Sequence, residues 1–117
     1  MIRAACLALA LGACNVFEPP EGWDEFDPPP QYRLWHAEVQ TCVGARRPFD
    51  DLTWRKVYAE TFHCGGLDNA TGCLAYPSTI YIVERALRAS PVVKAEIVHY
   101  VRQNGLHDTL YTRCRWQ

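Results

Sequence analysis

Two stretches of the chain repeat apolar residues at the three- and four-residue spacing of an amphipathic helix. The first covers residues 31–44 and is predicted to end at Gly44. Its apolar face is formed by Tyr32, Trp35, Val39, Cys42 and Val43. The second covers residues 90–104, where Ser90 suits the N-cap, Pro91 the first helical position and Gly105 a left-handed ending.

Other stretches follow the period of a β-strand. Residues 53–64 alternate imperfectly, and residues 78–84 are rich in β-branched and aromatic side chains, so both are predicted to be strands. Residues 65–72 have the composition of a loop, and the tail over 106–117 is predicted to be extended. Helix, strands, helix and tail in this order indicate a small α+β domain over residues 32–117.

The N-terminus has the organisation of an export signal. Arg3 precedes an apolar run that ends in small residues, so residues 1–13 are predicted to be a signal peptide too short to span a bilayer. The residues from Leu11 to Cys14 resemble the lipobox of bacterial lipoproteins. That resemblance implies lipidation of Cys14, and Asn15 after it favours the outer membrane. The alternative is a plain secretory signal cleaved nearby.

Residues 14–31 differ in composition from the rest. The stretch 15–31 holds five prolines and five acidic residues, which predicts a semi-stiff tether between membrane and domain. Alternatively, its aromatic side chains Phe17, Trp23 and Phe26 dock on the domain.

Charge and cysteine content narrow the class of protein. The net charge of −1 argues against a nucleic-acid partner, and 117 residues suffice for one small domain. Six cysteines indicate an oxidising compartment. Cys6 leaves with the signal and Cys14 is used for lipid, so four remain, and three pairings are possible. We predict Cys64–Cys73, which closes the glycine-rich loop, and Cys42–Cys114, which joins the first helix to the tail.

One motif in the second helix suggests metal chemistry. Glu96 and His99 occupy two positions of the zinc-peptidase pattern H-E-x-x-H, and Ala95 stands where its first histidine would be. Residues 95 and 99 share a helix face, and in a working site the glutamate acts as general base on zinc-bound water. His107 lies just beyond Gly105, where a turn can bring it back towards the helix.

The surrounding sequence resembles small, secreted, disulfide-bearing predicted metallopeptidases of bacteria, which are zincin-like. The resemblance covers residues 32–114. It is carried by a Trp and Cys in the first helix, a strand, the E-x-x-H helix, a Gly-x-His turn and a closing cysteine. The matching positions are Trp35, Cys42, 79–83, 92–99, Gly105, His107 and Cys114. It implies a zincin-like domain with a zinc site at the 92–99 helix.

The departure at position 95 changes the expected activity. Alanine has no donor atom, and catalytic zinc normally has three protein ligands. His99 and His107 are therefore expected to be weak or vestigial zinc ligands, with Glu96 a vestigial general base. Asp108 or Glu96 is an alternative third ligand. Without a metal, His99 is a hydrogen-bonded histidine at the helix edge, His107 an exposed loop residue and Glu96 a solvated charge.

Three functions are compatible with these features. The first is an envelope lipoprotein that is anchored through Cys14 and binds a peptide or protein without cleaving it, using an edge strand such as 78–83. The second is an active zinc peptidase with a substituted ligand set. The third is a disulfide-stabilised interaction lipoprotein without a metal site.

Overall fold

A computed structural model describes residues 20–117. The predicted signal peptide, the lipidation of Cys14 and the position of Phe17 lie outside the described residues. The strands are β1 (Trp23–Glu25), β2 (Thr53–Val57), β3 (Phe62–Cys64), β4 (Leu67–Ala70), β5 (Gly72–Ala75) and β6 (Thr79–Val83). The helices are α1 (Pro30–Val43), α2 (Ser90–Arg102) and α3 (Thr109–Trp116), with short 3-10 turns at Phe49–Asp51 and Glu84–Ala86.

The main sheet has four strands in the order β1-β2-β6-β5. β2 and β6 are parallel, and the outer strands β1 and β5 run antiparallel to their neighbours. A separate antiparallel hairpin consists of β3 and β4. The α+β class predicted from the order of patterns is confirmed.

Helix α2 occupies the centre of the molecule. It contacts α1, α3, β5 and β6, and all nine residues from Val93 to Val101 are buried. Lys94 is only 3% exposed, and its ammonium group forms an ion pair with the Glu38 carboxylate of α1 at 2.6 Å. Because α2 is enclosed on every side, polar groups on it meet other protein groups rather than water. Among residues 20–117, no helix is both long and apolar enough to cross a membrane.

The two predicted disulfides are confirmed. Cys42–Cys114 joins α1 to α3, and Cys64–Cys73 joins the β3–β4 hairpin to the edge strand β5. Helix α1 also ends as predicted, with Gly44 in the left-handed conformation at φ 81°.

The predictions for the strands need two corrections. The single strand expected over 53–64 is split into β2 and β3, because bends at residues 58–60 interrupt its blurred alternation. The expected loop over 65–72 contains β4, which pairs with β3 after a turn at Gly65 and Gly66. The sequence did not indicate β4 because the first three of its four residues are exposed, so buried and exposed positions do not alternate along it.

The strand predicted over 78–84 exists as β6, but it is not an edge strand. It lies between β2 and β5, and Ile80 to Val83 are buried. Such a continuous apolar run is typical of a strand covered on both faces. The edges of the main sheet are instead formed by β1 and β5.

The ends of α2 and the tail also differ from expectation. Ala89, not Ser90, is the N-cap, and Gln103, not Gly105, takes the left-handed conformation at φ 56°. The tail is not extended: it forms α3, whose first turn is capped by the Asp108 side chain accepting from the Tyr111 backbone N–H. Aspartate at an N-cap is a favourable helix start.

Of the predicted tether, residues 20–31 are described and the aromatic ones dock on the domain. Trp23 lies in β1 and contacts Tyr81 edge-on, with 6.1 Å between the ring centroids. The Arg55 guanidinium lies over the Trp23 ring, 4.0 Å from its centroid. Phe26 packs against Tyr32 and Trp54. Trp23 and Phe26 therefore follow the alternative in which the aromatic side chains of this segment dock on the domain.

Candidate functional site

The structure brings together the two histidines singled out in the sequence. Nε2 of His99 lies 3.2 Å from Nε2 of His107, although His99 is in α2 and His107 lies in the turn before α3. The predicted approach of these two side chains is confirmed. Their role as metal ligands stays a prediction.

The turn between α2 and α3 holds His107 in place. Arg102 forms two hydrogen bonds of 2.9 Å with the Asp108 carboxylate, one from each guanidinium NH2 group. The Gln103 side chain donates to the Pro77 carbonyl, and the Asn104 side chain accepts from the Leu106 N–H. The turn is therefore fixed on both flanks of His107.

Hydrogen bonding defines how the histidine pair is protonated. Nδ1 of His99 lies 2.9 Å from the Asn104 carbonyl oxygen, so Nδ1 must carry the hydrogen that is donated. In the neutral ring Nε2 is then an acceptor, and His107 donates to it. Burial, reinforced by His107, lowers the pKa of His99 to about 4, which keeps this ring neutral at pH 7.

An aromatic side chain that sequence reasoning missed, Tyr111, forms a cluster with His99 and His107. Tyr111 of α3 stacks on both histidines, with ring centroids 4.8 Å from His99 and 4.4 Å from His107. Arg115, one turn later, donates to the Tyr111 hydroxyl at 3.1 Å and to the Pro91 carbonyl at 3.0 Å. The sequence did contain a signal for this helix and for Tyr111. Asp108 is a favourable N-cap, and Tyr111 and Cys114, three residues apart, would share one face of a helix that starts there.

Glu96 is not the solvated charge that a helix-face glutamate usually is. It is 7% exposed, and burial raises its pKa to about 8, although Arg115 and the Leu74 backbone N–H act in the opposite direction. A Cβ atom added at Gly72 would lie only 3.0 Å from its Cγ and 3.1 Å from its Oε2. The carboxyl group therefore lies against β5.

These positions do not form a complete zinc site. Ala95, 2% exposed, supplies no donor. Asp108 is not available as the third ligand because both carboxylate oxygens bind Arg102 and one also caps α3. In the part of the chain that is described, no three His, Cys, Asp or Glu side chains are grouped to hold a metal ion. The residues present do not fit tightly bound zinc.

The remaining histidines and a cavity beside α1 lie apart from this cluster. His36 is buried, with Nε2 2.7 Å from the Arg47 carbonyl, and exposed His63 pairs with Asp68. A cavity of about 300 Å³ shares no lining residue with the cluster; it is bounded by Pro28, Pro29, Pro30, Arg33, Phe49, Asp50, Leu52 and Trp54.

No protein-family model, curated protein sequence or solved structure matches this chain.

Proposed function

We propose that the chain is a bacterial envelope lipoprotein whose domain is a degenerate metallopeptidase-like unit that binds an extended peptide or protein segment without cleaving it. The lipid anchor is the one expected at Cys14. The domain provides the histidine pair, a buried glutamate and an adjacent sheet edge.

The observation that carries the metallopeptidase-like part is the separation of 3.2 Å between the two Nε2 atoms. Two nitrogens bound to one tetrahedral zinc at 2.0–2.1 Å are about 3.3–3.4 Å apart. His99 and His107 thus already stand at the spacing of two ligands. The third position, residue 95, lies one helical turn before His99 on the same side of α2.

Catalysis is not expected from this arrangement. A general base must reach the water or substrate that it deprotonates, and the Glu96 carboxyl faces Gly72 and the Leu74 N–H instead. Together with two metal ligands rather than three, this removes both requirements of zinc-assisted hydrolysis.

The peptide-binding part relies on the outer edge of β5. An extended peptide can add to such an edge through main-chain hydrogen bonds. Exposed apolar side chains flank the same region, since Tyr76 is 52% and Leu106 55% exposed, and the Tyr76 hydroxyl would lie 3.5 Å from a Cβ at Gly105.

Restoring the missing ligand tests the proposal. Ala95→His should bind one zinc per chain through three nitrogen ligands at about 2.0–2.1 Å, as X-ray absorption can measure. Wild type should retain little zinc after dialysis. Because position 95 is buried, the smaller ligand in Ala95→Asp serves as a second variant, and zinc-dependent thermal stabilisation serves as a second measurement.

The matched control is Ala37→His, which adds a histidine at an exposed position of α1. It should gain no zinc, and Ala95→His combined with His107→Ala should lose most of what Ala95→His gains. If folded Ala95→His and Ala95→Asp both bind no more zinc than Ala37→His, the metallopeptidase-like origin of the site is wrong.

One observation favours the interaction lipoprotein without a metal site. The rings of His99, His107 and Tyr111 are nearly parallel, with interplanar angles between 15° and 25°, so the histidines also pack as a structural stack. On this alternative, removing His107 destabilises the domain and neither variant at position 95 acquires zinc.

A further inference from the structure

The side chain of Glu96 lies against the edge strand β5, next to Gly72. We infer that Glu96 closes the outer edge of β5 by taking the place of a peptide carbonyl, so that strand addition requires this side chain to move away. The inference rests on the proposed function, because it concerns the control of the same peptide-binding edge.

The direction of the β5 backbone follows from its register. The Val83 N–H donates to the Thr71 carbonyl at 3.0 Å, so these two residues form a hydrogen-bonded pair. Bonded and non-bonded pairs alternate along an antiparallel ladder. Leu74, opposite Ile80 three rows further on, is therefore in a non-bonded pair, and its N–H points away from β6 to the outer edge.

Glu96 meets this outward-pointing group. Burial raises the pKa of the Glu96 carboxyl, and the Leu74 N–H is the backbone group that acts against this rise, while Oε2 of Glu96 lies 3.1 Å from the position of a Cβ at Gly72. A carboxyl oxygen held there can accept from the edge as the carbonyl of an added strand would. An unpaired edge is also a hazard for association between chains, and natural sheets cover such edges.

Gly72 makes the close approach possible. It is in the other outward-facing row of β5, two residues before Leu74. A methyl group there would meet Glu96 Cγ at 3.0 Å and Oε2 at 3.1 Å, and Ile82 Cδ1 at 3.2 Å. The absence of a side chain at residue 72 therefore leaves the space that the Glu96 side chain fills.

The first experiment measures the contact itself through amide hydrogen exchange at Leu74 by NMR. Glu96→Ala should accelerate exchange of this amide at least tenfold relative to the Ile82 amide. Glu96→Gln keeps an acceptor oxygen and should retain most of the protection. Gly72→Ala, which pushes the carboxyl away without removing it, should act like Glu96→Ala, whereas Gly66→Ala adds a methyl group in open space and should change nothing.

The second experiment measures strand addition with a defined probe, the capped hexapeptide acetyl-Thr-Val-Thr-Val-Thr-Val-amide. Glu96→Ala should bind it at least fivefold more tightly than wild type, with chemical-shift changes at Gly72 and Leu74. Unchanged exchange at Leu74 in both folded Glu96→Ala and Gly72→Ala overturns the closure, as does measurable probe binding of equal affinity by wild type and Glu96→Ala. Faster Leu74 exchange without probe binding by any variant supports the closure and overturns peptide binding at this edge.

Discussion

Glu96 shows how much a side chain's surroundings decide its chemistry. The same residue type would be an ordinary exposed charge on most helices, but here α2 is enclosed and the carboxyl faces β5. Burial favours the neutral acid, which is why its pKa rises to about 8. The free energy of unfolding must therefore depend on pH through this residue.

The sign of that dependence follows from proton binding. Between the ordinary pKa of 4.5 and about 8, folded Glu96 holds a proton that the unfolded chain releases. Stability therefore falls as pH rises through this window, by at most about 1.4 kcal/mol per pH unit from this group. His99 acts oppositely below its ordinary pKa of 6.5, because its folded pKa is about 4, so the fall is clearest from pH 6.5 to 8.

We predict that Glu96→Gln reduces this fall, as urea unfolding at several pH values can measure. Glu60→Gln is the control, since the Glu60 side chain is 89% exposed and its removal should leave the slope unchanged. A wild-type slope that Glu96→Gln does not alter between pH 6.5 and 8 would contradict the burial of an acid at this position.

At the scale of elements, the cluster depends on how α3 is held against α2. Tyr111 belongs to α3 and stacks on both histidines, and Arg115 of the same helix donates to the Tyr111 hydroxyl. The Cys42–Cys114 disulfide secures α3 to α1 across 72 residues of sequence, whereas Cys64–Cys73 spans only nine.

Removing Cys42–Cys114 should therefore be the more destabilising change. Loop-closure entropy gives about 4.4 kcal/mol for the long loop and about 2.7 kcal/mol for the short one. The two double Cys→Ser variants, compared by denaturant unfolding, should rank in that order, and only the Cys42–Cys114 variant should disturb the NMR signals of His107 and Tyr111. The reverse ranking would show that the short bridge supports more than its own hairpin.

Those elements were only partly predictable from the sequence. The apolar period revealed α1, α2 and β6, and the spacing of Glu96, His99 and Gly105 led to the histidine pair. Helix α3 was missed because the tail was predicted to be extended, although Asp108 is a favourable N-cap for a helix that starts at Thr109. The burial of Glu96 could not be predicted from the sequence. It depends on a distant residue, Gly72, whose lack of a side chain leaves room for the Glu96 side chain.

For the whole molecule, the remaining question is attachment to a membrane. The lipobox resemblance at residues 11–14 predicts acylation of Cys14, which lies nine residues before Trp23, where the sheet begins. If Cys14 is anchored, the docked segment keeps the domain close to the bilayer surface rather than at the end of a long tether.

We predict that protein made in a bacterial host carries diacyl- or triacyl-modified Cys14 as its first residue, and mass spectrometry can detect this. Cys14→Ser should abolish the modification and release the protein from membranes. Cys6→Ser, a substitution within the predicted signal peptide, should leave both unchanged. An unmodified Cys14 thiol in the mature wild-type protein would refute lipidation.

The complete burial of α2 has a consequence for how this protein can change over generations. A helix with one exposed face can exchange residues on that face at little cost, but nine successive positions of α2 touch the interior. A ligand at residue 95 thus cannot be gained or lost without altering the volume of the core. Any lineage that replaced a larger residue with Ala95 would repack around the smaller one, and a return to histidine would then cost folding stability that bound zinc has to offset.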